Sequence, residues 1–335
     1  MQQPLVSILI PFKNTQQFLG ECLNSISKQT YTNWELLIID DNSTDKSYDL
    51  VESYANNDKR IKLFKNEGSG IINALKLAFS KSTGTYITRM DSDDIMAEIK
   101  IETLLNALLL AGKNHISTGL VSCFSAQGIS DGYKKYENWL NNLTGNGRNY
   151  SEIYKECVIP SPCWMINRED LLAINAFDPI RYPEDYDLTF RFYEAKYKVI
   201  PCNKTLHLWR DYGTRASRTD ANYAENSFID IKLHYFLKLD YNKSKTLVVW
   251  GAGKKGKSIA KKLIALNIPF QWICDNPKKI GKNIYDLDMK AFKHLEALEN
   301  FQSIISVANG EQQIIIKNYL MHLNKVSMYD YFFFC

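Results

Sequence analysis

Residues 83–95 have the sequence TGTYITRMDSDDI, and this stretch decides both the fold and the first candidate site. Gly84 interrupts the pattern before it, and residues 85–88 have the β-branched and aromatic content of a short buried strand. Three acids then follow the strand: Asp91, Asp93 and Asp94. Carboxylates in this place repel one another and are costly to desolvate, so they need a cation or a solvated loop. A divalent ion that also binds a diphosphate meets this need, and so does an Asp-rich turn that caps a helix starting near Ile95.

The length, composition and charge of the chain limit its function class. A chain of 335 residues is long for one domain, so we expect two, and 45% hydrophobic with 23% charged residues is typical of a globular protein. A net charge of +4 is too small to indicate a nucleic acid partner, although it helps to attract an anionic sugar nucleotide or membrane surface. The seven Cys residues are scattered without C-x-x-C pairs, which indicates reduced thiols in a cytosolic protein.

The first residues carry no secretion signal. Met1 leads quickly into the apolar residues 6–10, with no basic segment before them and no apolar run of signal-peptide length. No stretch of about 18 consecutive apolar residues occurs anywhere in the chain. We therefore expect a cytoplasmic protein without a membrane-spanning helix.

Strand and helix patterns alternate four times before Asp91. Apolar strands are predicted at residues 6–10, 35–39, 61–64 and 85–88, and helices at residues 16–27, 46–56 and 71–80. Nearly continuous apolar strands are typical of a parallel sheet covered on both faces, and such sheets bind ligands beyond the carboxyl ends of their strands. Pro11, which ends the first predicted strand, and the pair Asp40 and Asp41 fall at those ends together with the later acids. Two acidic loops at one edge favour a nucleotide and metal site over two helix caps.

Three segments together resemble a known family: VSILIPFKN (6–14), ECLNSISKQTYTNWELLIIDDNSTDKS (21–47) and GTYITRMDSDD (84–94). They are similar to the start of the family 2 glycosyltransferases, which have the GT-A fold. The resemblance implies an α/β domain over residues 1–240, with a mostly parallel sheet and helices on both faces. It also implies a nucleotide-sugar donor, which is a UDP-sugar in most members.

The same resemblance assigns roles to particular residues. Pro11 and Asp41, with Asp40 beside them, are expected to hold the base and the ribose. The D-x-D pair, Asp91 and Asp93, is expected to hold Mn²⁺ or Mg²⁺ and the diphosphate, with Asp93 as the direct ligand. Arg89 is expected either at the nucleotide or in a salt bridge, which is the usual state of such a residue.

Residues 182–188, YPEDYDL, place several acids at the front of a helix. Acids there are favoured by the helix dipole, but transfer of a sugar with inversion also needs one carboxylate close to the acceptor hydroxyl. No His or Cys constellation competes for that task. The stretch PEDYDLTFR (183–191) resembles the Glu-Asp motif of the same family, which assigns the general base to Asp185. Glu184, expected at the substrate, and Asp187 are second choices.

The middle of the chain is less regular. Residues 112–149 are predicted to be irregular except for a helix near 134–143, and they either line the acceptor side or form a surface insertion. Tyr136 and Trp139 lie on one helix face and either stack on a sugar or pack into a core. Strands are predicted at residues 160–166 and 197–200, with a helix at 168–174.

The stretch LHLWRDYGTRASRTD (206–220) is predicted to be a loop that carries three arginines: Arg210, Arg215 and Arg218. The fork geometry of the guanidinium suits a diphosphate, and its charge stabilises a departing nucleoside diphosphate. This stretch resembles a subgroup of the family with a WRD…R.SR pattern. We therefore assign the diphosphate to the arginines, with His207 as the alternative.

After a helix predicted at 222–239 and a polar linker at 240–245, the chain restarts as a second α/β pattern. A strand at 246–250 leads into GAGKKG (251–256), a helix at 257–266 and a strand at 270–274. This context predicts a smaller Rossmann-like domain at 241–335. Its candidate nucleotide site consists of Gly251, Gly253, Gly256 and Asp275. Only half of a dinucleotide-binding unit is present, so a module for packing, homo-oligomer assembly or regulation is the favoured alternative.

The combined prediction is a metal-dependent inverting transferase that moves a sugar from a nucleotide donor to a glycan or lipid-linked glycan. The resemblance implies bacterial surface polysaccharide synthesis, with the enzyme meeting a lipid-linked acceptor peripherally at the inner face of the membrane. Two alternatives remain: an NAD(P)-dependent oxidoreductase acting through residues 241–335, and a non-catalytic subunit that senses a sugar nucleotide or supports assembly.

Overall fold

The computed structural model describes residues 3–178, 181–219, 223 and 228–335. The chain divides into two compact units, Met1–Asn149 with Val158–Ala224, and Tyr150–Cys157 with Glu225–Cys335. This division falls earlier in the chain than the predicted boundary at residue 240. It also assigns a short segment from the middle of the chain to the second unit, which no sequence pattern indicated.

The first unit is built on an eight-stranded sheet. Its strands are β1 (Val6–Phe12), β2 (Trp34–Asp40), β3 (Ile61–Lys65), β4 (Tyr86–Arg89), β5 (Ile95–Met96), β6 (His115–Phe124), β7 (Trp164–Asn167) and β8 (Lys198–Arg210). They lie in the order β3-β2-β1-β4-β7-β6-β8-β5. The first four strands of this order are parallel, β7 is antiparallel to both of its neighbours, and β5 is antiparallel to β8.

The helices between these strands follow the predicted periodicity most closely in the first hundred residues. They are α1 (Gln16–Ser27), α2 (Ser47–Asn57), α3 (Ile71–Lys81), α4 (Lys100–Ala111), α5 (Asp131–Gly145), α6 (Arg168–Ala173), α7 (Glu184–Glu194) and α8 (Ala216–Thr219). The amphipathic helix predicted at 16–27 is confirmed, because its apolar positions Leu19, Leu23 and Ile26 are fully buried. They pack into one hydrophobic core with the strands β1 and β2.

Pro11 does not end its strand as predicted, because β1 continues to Phe12. Pairing between β1 and β4 stops at Leu9, whose carbonyl accepts the backbone N–H of Met90. Backbone groups of alternate residues in a strand point to the same edge, so an N–H at Pro11 would point towards β4, as the carbonyl of Leu9 does. Because pairing with β4 has already ended there, the N–H that proline lacks costs no hydrogen bond of the sheet.

The capped-turn alternative for the acids after β4 is not what the structure shows. The short strand β5 follows them instead of a helix, and α4 begins only at Lys100. Asp91, Asp93 and Asp94 therefore occupy a loop between two strands. Their carboxylates do not cap a helix N-terminus.

The largest error of the sequence prediction concerns the strands β6 and β8. Residues 115–124 were expected to be irregular, because Ser117, Thr118 and Gly119 interrupt the apolar pattern. These residues are nevertheless in the middle of the sheet, and the Thr118 hydroxyl donates a hydrogen bond to the Cys163 carbonyl at 2.6 Å. β8 extends to Arg210, far beyond the predicted end at residue 200, because register shifts near Leu120 absorb its irregular part.

The second unit contains a six-stranded sheet in the order β11-β12-β10-β9-β13-β14. Its elements are α9 (Ile229–Tyr235), a π-helix (Phe236–Asp240), β9 (Thr246–Trp250), α10 (Lys254–Ala265), β10 (Gln271–Cys274), β11 (Asn283–Ile284), β12 (Leu287–Ala291), a 3₁₀-helix (Phe292–Ala297), β13 (Phe301–Ile305), α11 (Gly310–His322) and β14 (Tyr331–Phe333). All neighbouring strands are parallel except β11 and β12.

Two predicted helices begin at other residues in the structure. The helix predicted at 222–239 is described only from residue 229, since its first part mostly lies outside the described residues. The helix predicted at 257–266 starts earlier, at Lys254, so that Gly256 lies inside α10. Across the described part of the chain, no helix has both the length and the apolar character needed to cross a lipid bilayer.

Candidate active site

The acids Asp91 and Asp93 lie beyond the carboxyl end of β4, which runs parallel to β1 and β2. Their side chains are 18% and 12% exposed, and the Oδ2 atom of each lies 4.0 Å from a nitrogen of the Arg215 guanidinium. The Tyr212 hydroxyl also donates a hydrogen bond to Asp93 Oδ2 at 2.8 Å. One planar cation thus faces one oxygen of each carboxylate.

The electrostatics of these carboxyl groups favour a further cation. Burial, and then the charges of Asp94 and Asp91, raise the pKa of Asp93 to about 6. Burial acts on Asp91 as well, but Arg89 and Arg215 outweigh it and lower the pKa of Asp91. Two carboxylates that face one point fit a hard divalent ion with oxygen ligands. The described residues contain no group of three or more His, Cys, Asp or Glu side chains placed to hold a metal, so a diphosphate would have to complete the coordination.

Asp94 does not belong to this pair, because its carboxylate is fully buried and used internally. Oδ1 accepts the backbone N–H of Arg210 at 2.7 Å, and Oδ2 lies 2.9 Å from Nε2 of His207. Lys100 Nζ lies 3.5 Å from His207 Nδ1 and also donates to the Pro162 carbonyl. Because an ammonium has no lone pair, this contact assigns the proton of His207 to Nε2, which donates to Asp94. The network fixes the end of β8 beside the acids.

The three arginines predicted in one loop are separated by the structure. Arg210 ends β8, and its guanidinium pairs with Glu21 at 2.7 Å. Arg218 lies in α8, is 40% exposed and pairs with Asp211 at 2.7 Å. Arg210 Nε also donates to the backbone carbonyl of Asp93 at 2.7 Å, but of these three arginines Arg215 is the one whose guanidinium faces the carboxylates of Asp91 and Asp93. His207, the alternative for the diphosphate, is buried in the network behind them.

Arg89 connects two parts of the site. It is 4% exposed, and its guanidinium pairs with Asp91 Oδ1 at 3.1 Å and with Glu184 Oε1 at 3.0 Å. The Tyr223 hydroxyl donates to the other oxygen of Glu184 at 2.7 Å. The charges of Asp91 and Glu184 outweigh the effect of burial and raise the pKa of Arg89. The structure thus gives Arg89 the salt-bridged role, in which it joins the acid loop to the first turn of α7.

Replacing Arg89 with methionine is expected to lower the free energy of unfolding by about 3–5 kcal/mol, because two buried carboxylates lose their counter-charge. Urea denaturation measures this loss. The matched control is Arg60→Met, which breaks the half-exposed pair with Asp58 and should cost less than about 1 kcal/mol. Equal losses in the two variants would contradict the role of Arg89 as a buried connector.

The first turn of α7 distinguishes Asp185 from its acidic neighbours. Glu184 is held by Arg89 as described above, and Asp187 pairs with Arg191 at 2.6 Å. No ion pair of Asp185 occurs among the described residues, and its Oδ1 accepts only the backbone N–H of Tyr186, at 2.8 Å. Burial and then the charge of Glu184 raise the pKa of Asp185 to about 7. Of the three candidates for the base, Asp185 alone keeps its carboxylate outside an ion pair.

The acids at the end of β2 organise a turn. Asp41 is buried and accepts hydrogen bonds from the Asn66 side chain at 2.7 Å and from the Gly70 N–H at 2.9 Å. Asp40, also buried, accepts the N–H of Ser43 at 3.0 Å. Their proposed contacts with a nucleotide remain a prediction. The observed bonds hold the loop before α3 close to the carboxyl edge of the sheet.

Two contacts bring the acids after β2, the acids after β4 and the first turn of α7 to one edge of the sheet. Gly70, which Asp41 holds, approaches Tyr182 so closely that a Cβ on the glycine would lie 3.1 Å from the tyrosine hydroxyl. Arg89 links the acids after β4 to Glu184, as shown above. The acids from β2, β4 and α7 therefore lie around a common edge of the first unit, which the sequence prediction required.

Tyr136 and Trp139 of α5 follow the core-packing alternative. Both side chains pack against the hydrophobic core, and their ring centroids are 5.6 Å apart. Tyr136 also meets Trp209 of β8 edge to face, at 6.3 Å. These rings attach α5 to the sheet next to the segment that carries Arg215.

Close packing explains two of the three candidate glycines of the second unit, Gly251 and Gly256. Gly251 has φ +122°, and a Cβ there would lie 2.4 Å from Ser306 Oγ. A Cβ on Gly256 would lie 2.1 Å from the Gly251 carbonyl oxygen, so α10 can approach β9 only with glycine at this position. Gly253 precedes α10 in open space, and Asp275 is exposed after β10. Nucleotide binding by these four residues remains a prediction.

Several residues of the site were missed by the sequence analysis. Lys100 lies at the first position of an apolar helix, where spacing does not reveal that it is fully buried. Tyr212, Tyr223 and Glu21 have no motif of their own, and each acts through a partner far away in the chain. For Lys100 the available sequence signal was a charged residue at the start of an otherwise apolar helix.

Comparisons with known proteins identify the family of this chain. Residues 7–174 match the family described as glycosyl transferase family 2. The chain is 40% identical over 119 residues to an uncharacterized glycosyltransferase of Haemophilus influenzae, covering 35% of this chain and 46% of that protein. It is 27% identical to glycosyltransferase GlyG of Streptococcus pneumoniae, covering 64% of this chain and 74% of GlyG. It is also 32% identical to the Escherichia coli UDP-Glc:alpha-D-GlcNAc-diphosphoundecaprenol beta-1,3-glucosyltransferase WfgD, covering 56% of this chain and 69% of WfgD.

Solved structures show the same fold. TarS of S. aureus in complex with UDP-GlcNAc has a TM-score of 0.55 at 18% identity, covering 71% of this chain and 68% of that one. The mannosyltransferase PcManGT of Pyrobaculum calidifontis, in complex with GDP-Man and Mn²⁺, has a TM-score of 0.50 at 20% identity, covering 79% and 71%. The predicted GT-A type of sheet is confirmed. Because the family match spans half of the chain and includes the acids after β2 and β4, this protein belongs to glycosyl transferase family 2.

Proposed function

We propose that this transferase is a metal-dependent, inverting enzyme that moves a sugar from a UDP-sugar to a hydroxyl of a glycan or lipid-linked glycan. The observation that carries the proposal is the state of Asp185. Its carboxylate lies beside the acid loop, is unpaired among the described residues and has a pKa raised to about 7. A general base is most effective when its pKa lies near the working pH.

The proposed step is a direct displacement. Asp185 takes the proton of the acceptor hydroxyl while the hydroxyl oxygen bonds to the anomeric carbon of the donor sugar. The bond from this carbon to the diphosphate breaks, and the nucleoside diphosphate leaves with the electron pair. One displacement inverts the anomeric configuration, and a single carboxylate base is sufficient for it.

The leaving group determines what the acids after β4 must do. Asp91 and Asp93 would hold Mn²⁺ or Mg²⁺, which supplies positive charge to the departing diphosphate. Arg215 already faces both carboxylates at 4.0 Å and would add a second positive charge beside them. Tyr212 holds Asp93 through its hydroxyl and so orients the carboxylate before a donor binds.

The names of similar proteins guide the choice of substrate. TarS binds UDP-GlcNAc, and WfgD transfers glucose from UDP-Glc to a sugar on diphosphoundecaprenol. These names favour a UDP-sugar donor, an acceptor carried on a lipid diphosphate and a place in surface polysaccharide synthesis. PcManGT binds GDP-Man, so GDP-sugars belong in any screen.

A thermal-shift screen of nucleotide sugars with and without Mn²⁺ tests the donor. A ligand present at about 100 times its Kd adds roughly 2.7 kcal/mol to the free energy of unfolding. We expect stabilisation by UDP-sugars that depends on Mn²⁺, and UDP release when an acceptor glycan is added. Stabilisation by GDP-sugars alone would mean that the donor is a GDP-sugar. If no acceptor leads to release of a nucleotide, the transferase proposal is contradicted.

The pH dependence of kcat/KM tests the base. A carboxylate base must be deprotonated, so activity is expected to fall about tenfold per pH unit below pH 7 and to level off above it, because the pKa of Asp185 is about 7. Donor binding measured over the same range separates this titration from that of Asp93, whose pKa is about 6. A profile that stays flat through pH 7 would remove Asp185 as the base.

A further inference from the structure

The positive charge of this protein is concentrated in its C-terminal part. Residues 225–335 contain sixteen lysines, no arginine and ten acidic residues, whereas residues 1–224 contain twenty-five basic and twenty-seven acidic residues. The whole excess that gives the chain its net charge of +4 therefore comes from the second unit. An asymmetry of this kind indicates an anionic partner for one part of the molecule.

Helix α10 presents part of this charge as an ordered surface. Lys254, Lys257 and Lys261 are exposed and follow one another at spacings of three and four residues, which places them on one face of the helix. None of the three forms an ion pair with another described residue. Lys262, on a neighbouring face, differs because it pairs with Asp230.

The same face ends in an apolar side chain. Ile264 continues the lysine spacing and is 41% exposed, whereas Leu266, just after α10, is 55% exposed but does not share this spacing. Tyr285 lies beside the face, with Lys261 Nζ 5.2 Å from its ring centroid, and is 40% exposed. Its neighbour Asp286 is also exposed and reduces the local charge by one. We call the surface formed by Lys254, Lys257, Lys261, Ile264 and Tyr285 the α10 face.

We infer that the α10 face docks on an anionic lipid bilayer. Lysines of a surface helix contact lipid phosphates, while exposed aliphatic side chains enter the region just below the headgroups. Tyrosine is enriched at this boundary, since its ring is apolar and its hydroxyl is polar. The basic stripe and its apolar end together have the composition of an interfacial helix.

Charge alone would also suit a nucleic acid, but the α10 face does not. Specific contacts with nucleic acids depend on the arginine fork and on exposed rings that stack on bases. Residues 225–335 contain no arginine, and the one ring of the face, Tyr285, stacks on Trp272 at 6.0 Å. Exposed Ile264 gains nothing from a phosphate backbone. The composition therefore favours lipid.

The biological purpose of this docking rests on the proposed function, transfer of a sugar to a lipid-linked acceptor. An acceptor carried on a lipid diphosphate stays at the membrane surface, so an enzyme that docks there meets its acceptor. Docking through the second unit would hold the transferase at that surface. The docking itself, however, is a property of the α10 face and does not need a donor.

Vesicle co-sedimentation of the full chain tests the inference without any substrate. We expect binding to vesicles that contain phosphatidylglycerol, weakening with rising salt, and no binding to pure phosphatidylcholine vesicles. The triple variant K254Q/K257Q/K261Q should bind about a hundredfold more weakly, since each removed lysine costs roughly fivefold. The variant I264S should lose roughly threefold while keeping its salt dependence.

The matched control removes the same charge elsewhere. Lys204, Lys243 and Lys293 are exposed, and replacing all three with glutamine should leave vesicle binding nearly unchanged. An equal loss in this control would reduce the effect to net charge and overturn the α10 face as the docking surface. Failure of the wild-type chain to sediment with anionic vesicles, or tighter binding to a DNA duplex, would overturn the inference as well.

Donor binding separates this result from the proposed function. The triple variant should show the same thermal shift with a UDP-sugar and Mn²⁺ as the wild type, because none of the three lysines is a residue of the candidate active site. Retained donor binding with lost vesicle binding supports the inference. Vesicle binding without any donor shift would leave the docking surface in place and contradict the proposed function.

Discussion

The variant Asp185→Asn is expected to lower kcat by about 10²–10⁴ while donor binding stays close to wild type. Asparagine has nearly the same shape but cannot accept the acceptor proton. Nucleotide release at saturating donor and acceptor measures kcat, and the Mn²⁺-dependent thermal shift measures donor binding. The pH dependence through pH 7 should also disappear, since the titrating group has been removed.

The stability of this variant provides a second, independent readout. Burial and Glu184 raise the pKa of Asp185, so its charged form is disfavoured in the folded state. Above its unfolded pKa the folded protein must either keep an unfavourable charge or bind a proton, and this cost grows until the pH reaches about 7. Asp185→Asn should therefore be at least as stable as wild type at neutral pH.

A matched control lies two residues further along α7. Asp187 pairs with Arg191, so Asp187→Asn should lower the stability and keep most of the turnover. The opposite pattern, with turnover lost in Asp187→Asn and kept in Asp185→Asn, would move the base to Asp187. Loss of donor binding in Asp185→Asn would indicate a binding role instead of a catalytic one.

The variant Asp93→Asn is expected to abolish the Mn²⁺-dependent part of the donor shift and to lower kcat by about 10²–10³. One of the two carboxylates that would hold the cation is then neutral, and the departing diphosphate loses part of its counter-charge. Electron paramagnetic resonance of Mn²⁺ measures ion binding directly, without turnover. The folded protein should survive the change, because burial and the charges of Asp94 and Asp91 already disfavour a charge at Asp93.

Asp58→Asn is the control for this experiment. Asp58 is a surface acid paired with Arg60, and its loss of charge should leave both Mn²⁺ binding and turnover unchanged. Unchanged Mn²⁺ binding in Asp93→Asn would show that the ion is held elsewhere. Full activity without any divalent ion would leave Arg215 as the main counter-charge of the diphosphate, and it would remove the metal from the proposal.

Arg215 compensates part of the negative charge of the acids after β4. This guanidinium faces Asp91 and Asp93 at 4.0 Å and supplies positive charge before any donor is bound. Burial disfavours the charge of Arg215, but the carboxylates of Asp94, Asp93 and Asp91 outweigh it and raise the pKa, so the guanidinium stays charged at every working pH. The site therefore begins with its carboxylates partly compensated, which explains how three acids can lie close together after β4 without unfolding the loop.

Much of the fold was accessible from the sequence where local patterns are strong. The first three helices and four strands follow uninterrupted apolar periodicity, and their observed bounds differ from the predicted ones by at most one residue at either end, apart from Pro11. The predicted positions of Asp41 and Asp91 at one edge followed from the rule that parallel strands bring their carboxyl ends together, whereas Asp185 was assigned to the site by the family resemblance. Family resemblance then supplied the roles.

Prediction failed where burial depends on a distant partner. β6 contains Ser117 and Thr118, which look like surface residues but are satisfied in the sheet interior, where Thr118 bonds to Cys163. β8 pairs with β6 from Lys198 to Arg210 with register shifts near Leu120, and this pairing is not visible in the residues of β8 alone. Segment Tyr150–Cys157 joins the second unit through contacts that no local pattern records, such as the bond from Tyr154 to Asp240.

The sequence by itself determined which residue types stand after which strands, and therefore the kind of chemistry available at the edge of the sheet. Only the tertiary structure decided how the charges are shared: Arg89 pairs with Asp91 and Glu184, Asp94 is hydrogen-bonded to His207, and Asp185 forms no ion pair with another described residue. The reason is physical. The charge state of a carboxylate depends on burial and on groups within a few ångströms, and those groups come from parts of the chain up to 113 residues away.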